Sequence, residues 1–353
     1  MSTRFARAVT TVDSHTEGNP TRVITGGVAV PPGETLLAKR AWLRRNGDGL
    51  RRMLNFEPRG SGMMCSVLLL PPERPESDFS VIIMEQDEYV PMCGHCIIGA
   101  ATTVVAMGIV AAREPVTRVR FDTPAGAVAC DVAVADGEIG AVTFENVESF
   151  LWRENISLAV EGFGTVVADI AYGGDFYAVI DADGLRLALR PDNDGELIGA
   201  WRRIAHAISE QVAVVHPERP GINACYQVLF TSRNATRGDV KQTILCPPGS
   251  LDRSPCGTGT CARLALMFAR GEILLGEKRR FEGVLGTCFT GEVVRAETRA
   301  GITYVTPRVS GRAYITGFHQ FVLDPGDPLP EGFRIGPGPR LPSGAADTGP
   351  AQT

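Results

Sequence analysis

Long apolar runs are missing from this sequence of 353 residues. No segment reaches the roughly 18 consecutive apolar residues that a transmembrane helix needs. Residues 1–15 contain no apolar segment followed by a small-residue cleavage site, which a secretion signal would have. We therefore expect a cytoplasmic protein that has no membrane as its partner.

A strong net charge is missing as well. The 35 lysines and arginines are nearly balanced by 40 aspartates and glutamates, which leaves a formal net charge of −5. The densest group of arginines, in residues 40–52, has the pattern of a solvated helix face. Nothing in this balance provides the basic surface that nucleic acid would require, so we expect no nucleic acid as a partner.

Residues able to hold a cofactor are few. The three lysines, Lys39, Lys241 and Lys278, lie among polar neighbours, which is unfavourable for a pyridoxal phosphate Schiff base. The five histidines are scattered, and Cys93-x-x-Cys96 has no second cysteine pair at a spacing that would complete a metal site. We expect neither a metal nor another cofactor. The nine cysteines are odd in number and unevenly spaced, so we expect reduced thiols.

Strand-like segments dominate the sequence, whose length fits two domains of about 150–170 residues. Helical periodicity is limited to residues 34–54, 96–107, 197–211 and 260–270. Apolar, β-branched segments between turn residues predict strands at residues 22–30, 65–70, 80–85, 116–122, 127–133, 176–180, 227–231, 242–246 and 303–309. This pattern predicts an α+β fold. Residues 335–353 are rich in Gly, Pro, Ala and Ser, and we expect a disordered tail there.

One structural unit occurs twice in the sequence. Cys93-Gly94 and Cys256-Gly257 are 163 residues apart, and each is followed by an apolar helical segment. Both segments place an alanine 13 residues and a glycine 15 residues after the cysteine. The repeat predicts two domains of similar design, each with a cysteine at the start of a buried helix that a glycine ends.

A cysteine at a helix N-terminus has a distinctive environment. The positive end of the helix dipole and the free amide groups lower the thiol pKa from about 8.5 and favour the thiolate near neutral pH. The same amides bind anions such as a carboxylate. Two facing helix starts would hold one carboxylate and place a sulfur on each face of the adjoining carbon. This arrangement favours racemisation, in which a base acts on one face and an acid on the other.

Six segments resemble, in the same order, those of the proline racemase family. They are residues 13–22 (DSHTEGNPTR), 57–60 (EPRG), 92–95 (MCGH), 173–178 (GGDFYA), 252–260 (DRSPCGTGT) and 315–318 (ITGF). The resemblance extends from about residue 13 to residue 333. Its most specific part is DRSPCGTGT at the right distance from MCGH.

The resemblance implies a fold like that of diaminopimelate epimerase. Two pseudo-symmetric domains would each consist of a curled, mostly antiparallel sheet around a central helix, with the substrate between them. The first domain would comprise residues 1–148 and a returning segment at about 312–334, and the second would comprise residues 149–311. The implied activity is that of an isomerase, a racemase or epimerase that needs no pyridoxal phosphate. A homodimer is compatible with the sequence.

The same resemblance implies roles for individual residues. Cys93 and Cys256 match the two catalytic cysteines. The carboxylate would bind the backbone amides of Gly94, His95, Gly257 and Thr258. The side chains of His95 and Asp252 would hold the ring nitrogen of proline or hydroxyproline.

The chain departs from the family pattern in three places. Cys96-Ile97 stands where Gly-Thr is frequent, and Cys261 stands where Ser is frequent. Tyr226-Gln227 stands where hydroxyproline epimerases often have a His, and we expect one of these two side chains to contact a ring hydroxyl. The resemblance favours a 4-hydroxyproline 2-epimerase, which converts trans-4-hydroxy-L-proline to cis-4-hydroxy-D-proline. Proline racemase is the second interpretation.

The sequence gives less support to several alternatives. Dehydration of trans-3-hydroxy-L-proline is disfavoured because such enzymes usually lack one of the two cysteines, and a non-catalytic proline-binding protein would not need both. A redox role for Cys93-x-x-Cys96 is disfavoured because the βαβ pattern of thioredoxin-like proteins does not surround it. A cysteine hydrolase would need Cys93 to face His95, which neighbours two apart need not do. Residues 257–260 lack the lysine of a phosphate-binding loop. We expect the remaining thiols to be buried and inert: Cys65, Cys130, Cys225, Cys246 and Cys288.

Overall fold

The computed structural model describes residues 6–335 of the chain. Within these residues there are five α-helices, namely α1 (Leu36–Asn46), α2 (Asp48–Asn55), α3 (Gly94–Ala106), α4 (Asp194–Gln211) and α5 (Gly257–Ala269). Seventeen strands accompany them: β1 (Arg7–Thr16), β2 (Asn19–Gly26), β3 (Cys65–Leu70), β4 (Phe79–Met84), β5 (Val116–Thr123), β6 (Gly126–Ala135), β7 (Glu138–Glu145), β8 (Ser149–Val160), β9 (Gly164–Tyr172), β10 (Phe176–Asp181), β11 (Gln227–Ser232), β12 (Val240–Cys246), β13 (Ser250–Leu251), β14 (Lys278–Glu282), β15 (Cys288–Arg299), β16 (Ile302–Gly311) and β17 (Ala313–Leu323). The predicted α+β class is confirmed. The tail predicted at residues 335–353 lies outside the described residues except for Ile335.

The first half of the chain forms a mixed sheet around α3. Strand β1 pairs antiparallel with β2, β3 with β4, β5 with β6 and β6 with β7. Strand β2 runs parallel to β3, and β4 runs parallel to β5. Parallel neighbours need a crossover connection, which α1 and α2 supply for the first pair and α3 for the second. Helix α3 packs against strands on several sides, and every residue from Gly94 to Val105 is buried. Its sequence is accordingly mostly apolar on all sides, with His95, Thr102 and Thr103 as buried polar exceptions.

The second half has a comparable arrangement around α5. Strand β8 pairs antiparallel with β9, β9 with β10, β11 with β12, β14 with β15 and β15 with β16. Strands β10 and β11 run parallel and are connected through α4, and β12 and β14 run parallel and are connected through α5. Helix α5 packs against β8, β9, β15 and β16.

Two strands join the halves. Strand β16 pairs with both β7 and β8, and β17 returns to pair antiparallel with β1. Strand β17 lies within residues 312–334, for which a return to the first domain is expected, and that assignment stays a prediction. The domain boundary at residues 148 and 149 stays a prediction. Among residues 6–335, no helix combines the length and apolarity that crossing a bilayer demands.

The single helix predicted for residues 34–54 is wrong, because Gly47 divides it into α1 and α2. Gly47 has non-helical dihedral angles, and its amide donates to the carbonyl of Leu43. Asp48 then begins the second helix, where its carboxylate accepts from the guanidinium of Arg51. An acidic residue such as Asp48 in the first turn is favourable at a helix N-terminus. The sequence therefore contains a sign that a second helix begins after Gly47.

The N-termini of α3 and α5 meet at two glycines. A Cβ atom built on Gly94 would lie 2.7 Å from the Cα of Gly257 and 2.9 Å from the Cζ of Phe144. A Cβ on Gly257 would lie 2.7 Å from the Cα of Gly94. Real Cβ atoms do not approach backbone so closely, so glycine is required at both positions for the helices to meet.

We expect Gly257→Ala to lower the free energy of unfolding by about 1–3 kcal/mol, because the added methyl group must displace the Gly94 backbone. Gly199→Ala is the matched control, since Gly199 lies inside α4 with open space at its Cβ position. Alanine there should be neutral or stabilise by about 0.5–1 kcal/mol. Urea unfolding followed by circular dichroism measures both. Equal midpoints for the two variants would contradict the close approach.

Candidate active site

The repeated Cys-Gly unit places two thiols on the wall of one cavity. Cys93 and Cys256 both line it, with 7% and 8% of their surface exposed. Each cysteine is the N-cap residue of a 13-residue helix. Gly108 and Gly271 follow those helices with φ angles of 67° and 69°, in the left-handed region that favours glycine. The predicted repeat is therefore present at both ends of both helices.

Cys93 lies against an imidazole ring. Its Sγ is 3.1 Å from Nδ1 of His95, and Sγ of Cys96 is 3.4 Å from Nε2 of the same ring. The side-chain amide of Asn19 is 3.1 Å from that Nε2, and Asn19 in turn accepts from the amide of Arg253 through Oδ1. The ring is thus held between both halves of the chain.

The charges at Cys93 and His95 support each other. The hydrogen bond from Cys96 and the positive charge of His95 outweigh burial and hold the pKa of the Cys93 thiol well below its usual value. Burial disfavours charge on His95, but the negative charge of Cys93 and hydrogen bonds with Cys65 and Cys93 raise its pKa well above the usual value. These directions favour a thiolate–imidazolium pair at neutral pH.

Cys256 has the opposite electrostatic environment. Burial, followed by the negative charge of Asp252, raises the pKa of its thiol well above the usual value. The amide of Gly259 donates to Sγ at 3.3 Å, which opposes the shift without reversing it. The hydroxyl of Tyr177 lies 3.9 Å from the sulfur and 2.6 Å from Oγ1 of Thr258. These influences favour a neutral thiol at Cys256 at a pH where Cys93 is a thiolate.

The backbone at Cys256 is strained. Its φ angle is 63° and its ψ angle is 122°, a combination that residues with a side chain rarely adopt. Oγ of Ser254 accepts from the amide of Cys256 at 3.1 Å. The carboxylate of Asp252 accepts from both the amide and the hydroxyl of Ser254, at 2.8 Å and 2.9 Å. This turn fixes the direction in which the Cys256 side chain points.

Most residues predicted to bind substrate lie on the cavity wall. The wall includes Gly94, His95, Gln227, Asp252, Gly257 and Thr258. Gln227 also donates a short hydrogen bond to Asp175. The residues that line the cavity do not include Tyr226, whose carbonyl accepts from the indole of Trp201 at 2.9 Å. The structure therefore brings Gln227, and not Tyr226, to the two thiols.

Cys93 and His95 do face each other, although neighbours two apart at a helix start need not do so. The sequence pattern did not predict that Cys65 and Cys246 line the cavity. Their position depends on how β3 and β12 pair with other strands, which spacing does not reveal. Tyr177 could have been found, because it belongs to the GGDFYA segment that resembles the family.

The arrangement provides a base, an acid and an anion site within one cavity. The first amides of α3 and α5 have no acceptor within their own helices, and both helix dipoles direct positive potential toward the cavity. A carboxylate fits this environment. The thiolate of Cys93 and the thiol of Cys256 can then remove and deliver a proton at the neighbouring carbon. A Cys–His pair also occurs in hydrolases, but hydrolysis needs only one cysteine and leaves Cys256 without a role.

Comparisons with known proteins agree with this chemistry. The sequence model of the proline racemase family matches residues 11–334. The 4-hydroxyproline 2-epimerase of Streptosporangium roseum is 43% identical over 332 residues, which are 94% of this chain and 100% of that protein. The proline racemase of Clostridioides difficile is 40% identical over 331 residues, which are 94% of this chain and 99% of that protein. A crystal structure of a hydroxyproline epimerase from Agrobacterium vitis with bound trans-4-hydroxy-L-proline superposes with a TM-score of 0.88. It is 35% identical, and the match covers 94% of this chain and 97% of that one.

We expect iodoacetamide at neutral pH to alkylate Cys93 faster than Cys256, because only thiolates react and the pKa of Cys93 is lowered while that of Cys256 is raised. Cys256 should approach the rate of Cys93 only when the pH is raised well beyond the usual thiol pKa, toward the raised pKa of Cys256. A time course of peptide mass spectra gives the labelling ratio. Cys130, which is fully buried, serves as the internal control and should stay unlabelled. Faster labelling of Cys256 at neutral pH would refute the assignment of charge.

Proposed function

The chain belongs to the proline racemase family, and we propose that it is an isomerase that inverts the α-carbon of a proline derivative without a cofactor. The preferred substrate in this proposal is 4-hydroxyproline, interconverted between trans-4-hydroxy-L-proline and cis-4-hydroxy-D-proline. One observation carries the proposal: Cys93 and Cys256 line the same cavity with pKa values shifted in opposite directions.

The reaction needs one base and one acid at the same pH. In one direction the Cys93 thiolate removes the α-proton, and the Cys256 thiol donates a proton to the opposite face. The sulfur charges exchange, and the reverse reaction restores them. The two helix N-termini bind the substrate carboxylate and stabilise the negative charge that develops as the proton leaves. Burial of the cavity keeps these electrostatic interactions strong.

Asp252 is the side chain that binds the ring nitrogen of the substrate in this proposal. His95 was predicted to share this role, but its raised pKa and its contact with Cys93 favour an imidazolium, which offers no acceptor to a substrate ammonium. Burial raises the pKa of Asp252, and the arrival of an ammonium would lower it again. Asp252 then binds the substrate while His95 holds the thiolate of Cys93.

The choice of 4-hydroxyproline is supported by the relatives and by one side chain. The Streptosporangium roseum relative acts on 4-hydroxyproline, and the Agrobacterium vitis structure contains trans-4-hydroxy-L-proline. Gln227 lies on the cavity wall and offers an amide to a ring hydroxyl. Proline racemisation is the second candidate, supported by the Clostridioides difficile relative. The presence of both thiols disfavours dehydration and simple proline binding.

The proposal includes two pseudo-symmetric domains. From β17 through β1 to β7, successive pairings run antiparallel, antiparallel, parallel, antiparallel, parallel, antiparallel and antiparallel. From β8 to β16, leaving out the two-residue β13, the order of pairings is the same. Helices α3 and α5 occupy equivalent places in the two series. This supports a boundary near residues 148 and 149, with 312–334 returning to the first domain.

The free thiols suit a cytoplasmic location.

We expect Cys93→Ser and Cys256→Ser each to abolish steady-state epimerisation, because a serine hydroxyl is too weakly acidic to replace a thiol as base or acid near pH 7. The measurement is proton NMR in D₂O with L-proline, trans-4-hydroxy-L-proline, cis-4-hydroxy-D-proline and trans-3-hydroxy-L-proline. It reports exchange, epimerisation and dehydration together. One tenth of wild-type turnover in either variant would refute the two-thiol mechanism. Faster turnover of L-proline by the wild type would make the protein a proline racemase.

We expect Gln227→Leu to lower kcat/KM for 4-hydroxyproline by a few-fold to about tenfold, which corresponds to one neutral hydrogen bond of about 0.5–1.5 kcal/mol. Any activity on proline should be unchanged, because proline has no ring hydroxyl. Tyr226→Phe is the matched control and should leave both values unchanged. An equal loss on both substrates in Gln227→Leu would show that Gln227 does not distinguish the hydroxyl.

A further inference from the structure

Three metal-ligating side chains meet beside the catalytic thiols. Cys65 begins β3, and His95 and Cys96 lie in the first turn of α3. One ligand atom from each lies within 4.8 Å of the other two, and all three residues are buried. Within residues 6–335, no other three His, Cys, Asp or Glu side chains come together in this way. We call these residues the Cys65–His95–Cys96 cluster.

The donor atoms of the cluster select a particular class of metal ion. Two thiolates and an imidazole suit Zn²⁺ and similar thiophilic cations, whereas Mg²⁺ and Ca²⁺ require oxygen ligands. Tetrahedral zinc with bonds of about 2.3 Å to sulfur and about 2.0 Å to nitrogen places these two atoms about 3.5 Å apart. Nε2 of His95 and Sγ of Cys96 are 3.4 Å apart, so this edge of the tetrahedron is already formed.

A fourth ligand is within reach. Sγ of Cys93 lies 4.0 Å from Nε2 of His95 and 3.1 Å from its Nδ1. Joining Cys93 to the cluster completes a set of three cysteines and one histidine, a frequent combination in closed zinc sites. Such a site would use the sulfur assigned as the catalytic base, so an ion bound there would stop proton transfer.

The cluster goes beyond what the family resemblance supplies. Cys96-Ile97 stands where Gly-Thr is frequent after the Gly-His pair, so a cysteine occupies the usual position of a glycine. Cys65 lies outside both cysteine motifs and reaches the cluster through the parallel pairing of β3 with β2. All nine cysteines of the chain are free thiols, so the sulfurs are available for coordination.

We propose that Cys65, His95 and Cys96, with Cys93 as the fourth ligand, form an inhibitory site for Zn²⁺ or another thiophilic divalent cation. The thiols and the imidazolium release their protons to solvent as coordination bonds form, and no oxidation or reduction takes place. Binding of the ion stands on the cluster geometry alone. Its inhibitory effect rests on the proposed function, because only that function makes Cys93 a base.

The test uses the full chain, freed of metal by chelation and kept reduced with a phosphine. Addition of Co²⁺ should produce sulfur-to-metal charge-transfer absorption with one ion per chain, and Zn²⁺ should displace it. Zn²⁺ should inhibit epimerisation over the concentration range in which it displaces Co²⁺. EDTA should then restore the rate of the metal-free protein. Each rate is expressed relative to that of the same protein without metal.

The variants Cys65→Ser and Cys96→Ser should each weaken Co²⁺ and Zn²⁺ binding by at least roughly tenfold, since even outer residues of metal sites contribute this much. Cys246→Ser is the matched control, because Cys246 lines the same cavity and lies outside the cluster. It should bind both ions as the wild type does. Thermal unfolding of each variant verifies its fold, and either cluster variant is sufficient for the test.

The outcomes separate the two proposals. Absence of charge-transfer absorption, or equal affinity in the Cys65→Ser, Cys96→Ser and Cys246→Ser proteins, would overturn the metal site. Tight binding through the cluster by a metal-free protein that shows no epimerisation would overturn the proposed function and leave the site standing. Loss of activity on chelation, restored by Zn²⁺, would overturn the inhibitory role.

Discussion

The approach of Gly94 to Gly257 sets the geometry on which the site depends. Cys93 and Cys256 immediately precede these glycines, so the contact between α3 and α5 also fixes how the two thiols face the cavity. Phe144 closes the same contact from the side. Both helices are buried in their sheets, and neither can withdraw without opening voids in a close-packed core. The two helix N-termini and the pair of sulfurs are therefore held in one fixed arrangement.

Two identical side chains at equivalent helix positions acquire different charges from their neighbours. His95 and Cys96 surround Cys93 with a positive charge and a donor, whereas Cys256 has the negative Asp252 and the hydroxyl pair of Tyr177 and Thr258. Burial favours the neutral form of both thiols, and only at Cys93 do the neighbours overcome it. A two-base mechanism needs this difference, because two thiolates or two thiols could not perform it.

Local sequence signals predicted the parts of the structure that depend on local chemistry. The Cys-Gly repeat identified both central helices and their glycine ends, and strand β3 was predicted at its observed bounds. Strands β8 and β15 were missed because many of their residues are exposed, which hides the apolar alternation. The contact of Cys93 with His95 and the proximity of Cys65 depend on side-chain rotamers and on strand pairing. Neither is encoded in spacing along the chain.

Cys96 connects the electrostatics of the site with its affinity for metal. Its hydrogen bond is the largest influence that lowers the pKa of Cys93, so it helps to keep the base ionised at neutral pH. The same sulfur lies near Cys65 and His95, where it completes a set of metal ligands. A glycine at this position would remove both effects together. The residue that keeps Cys93 ionised at neutral pH therefore also supplies one ligand of the proposed metal site.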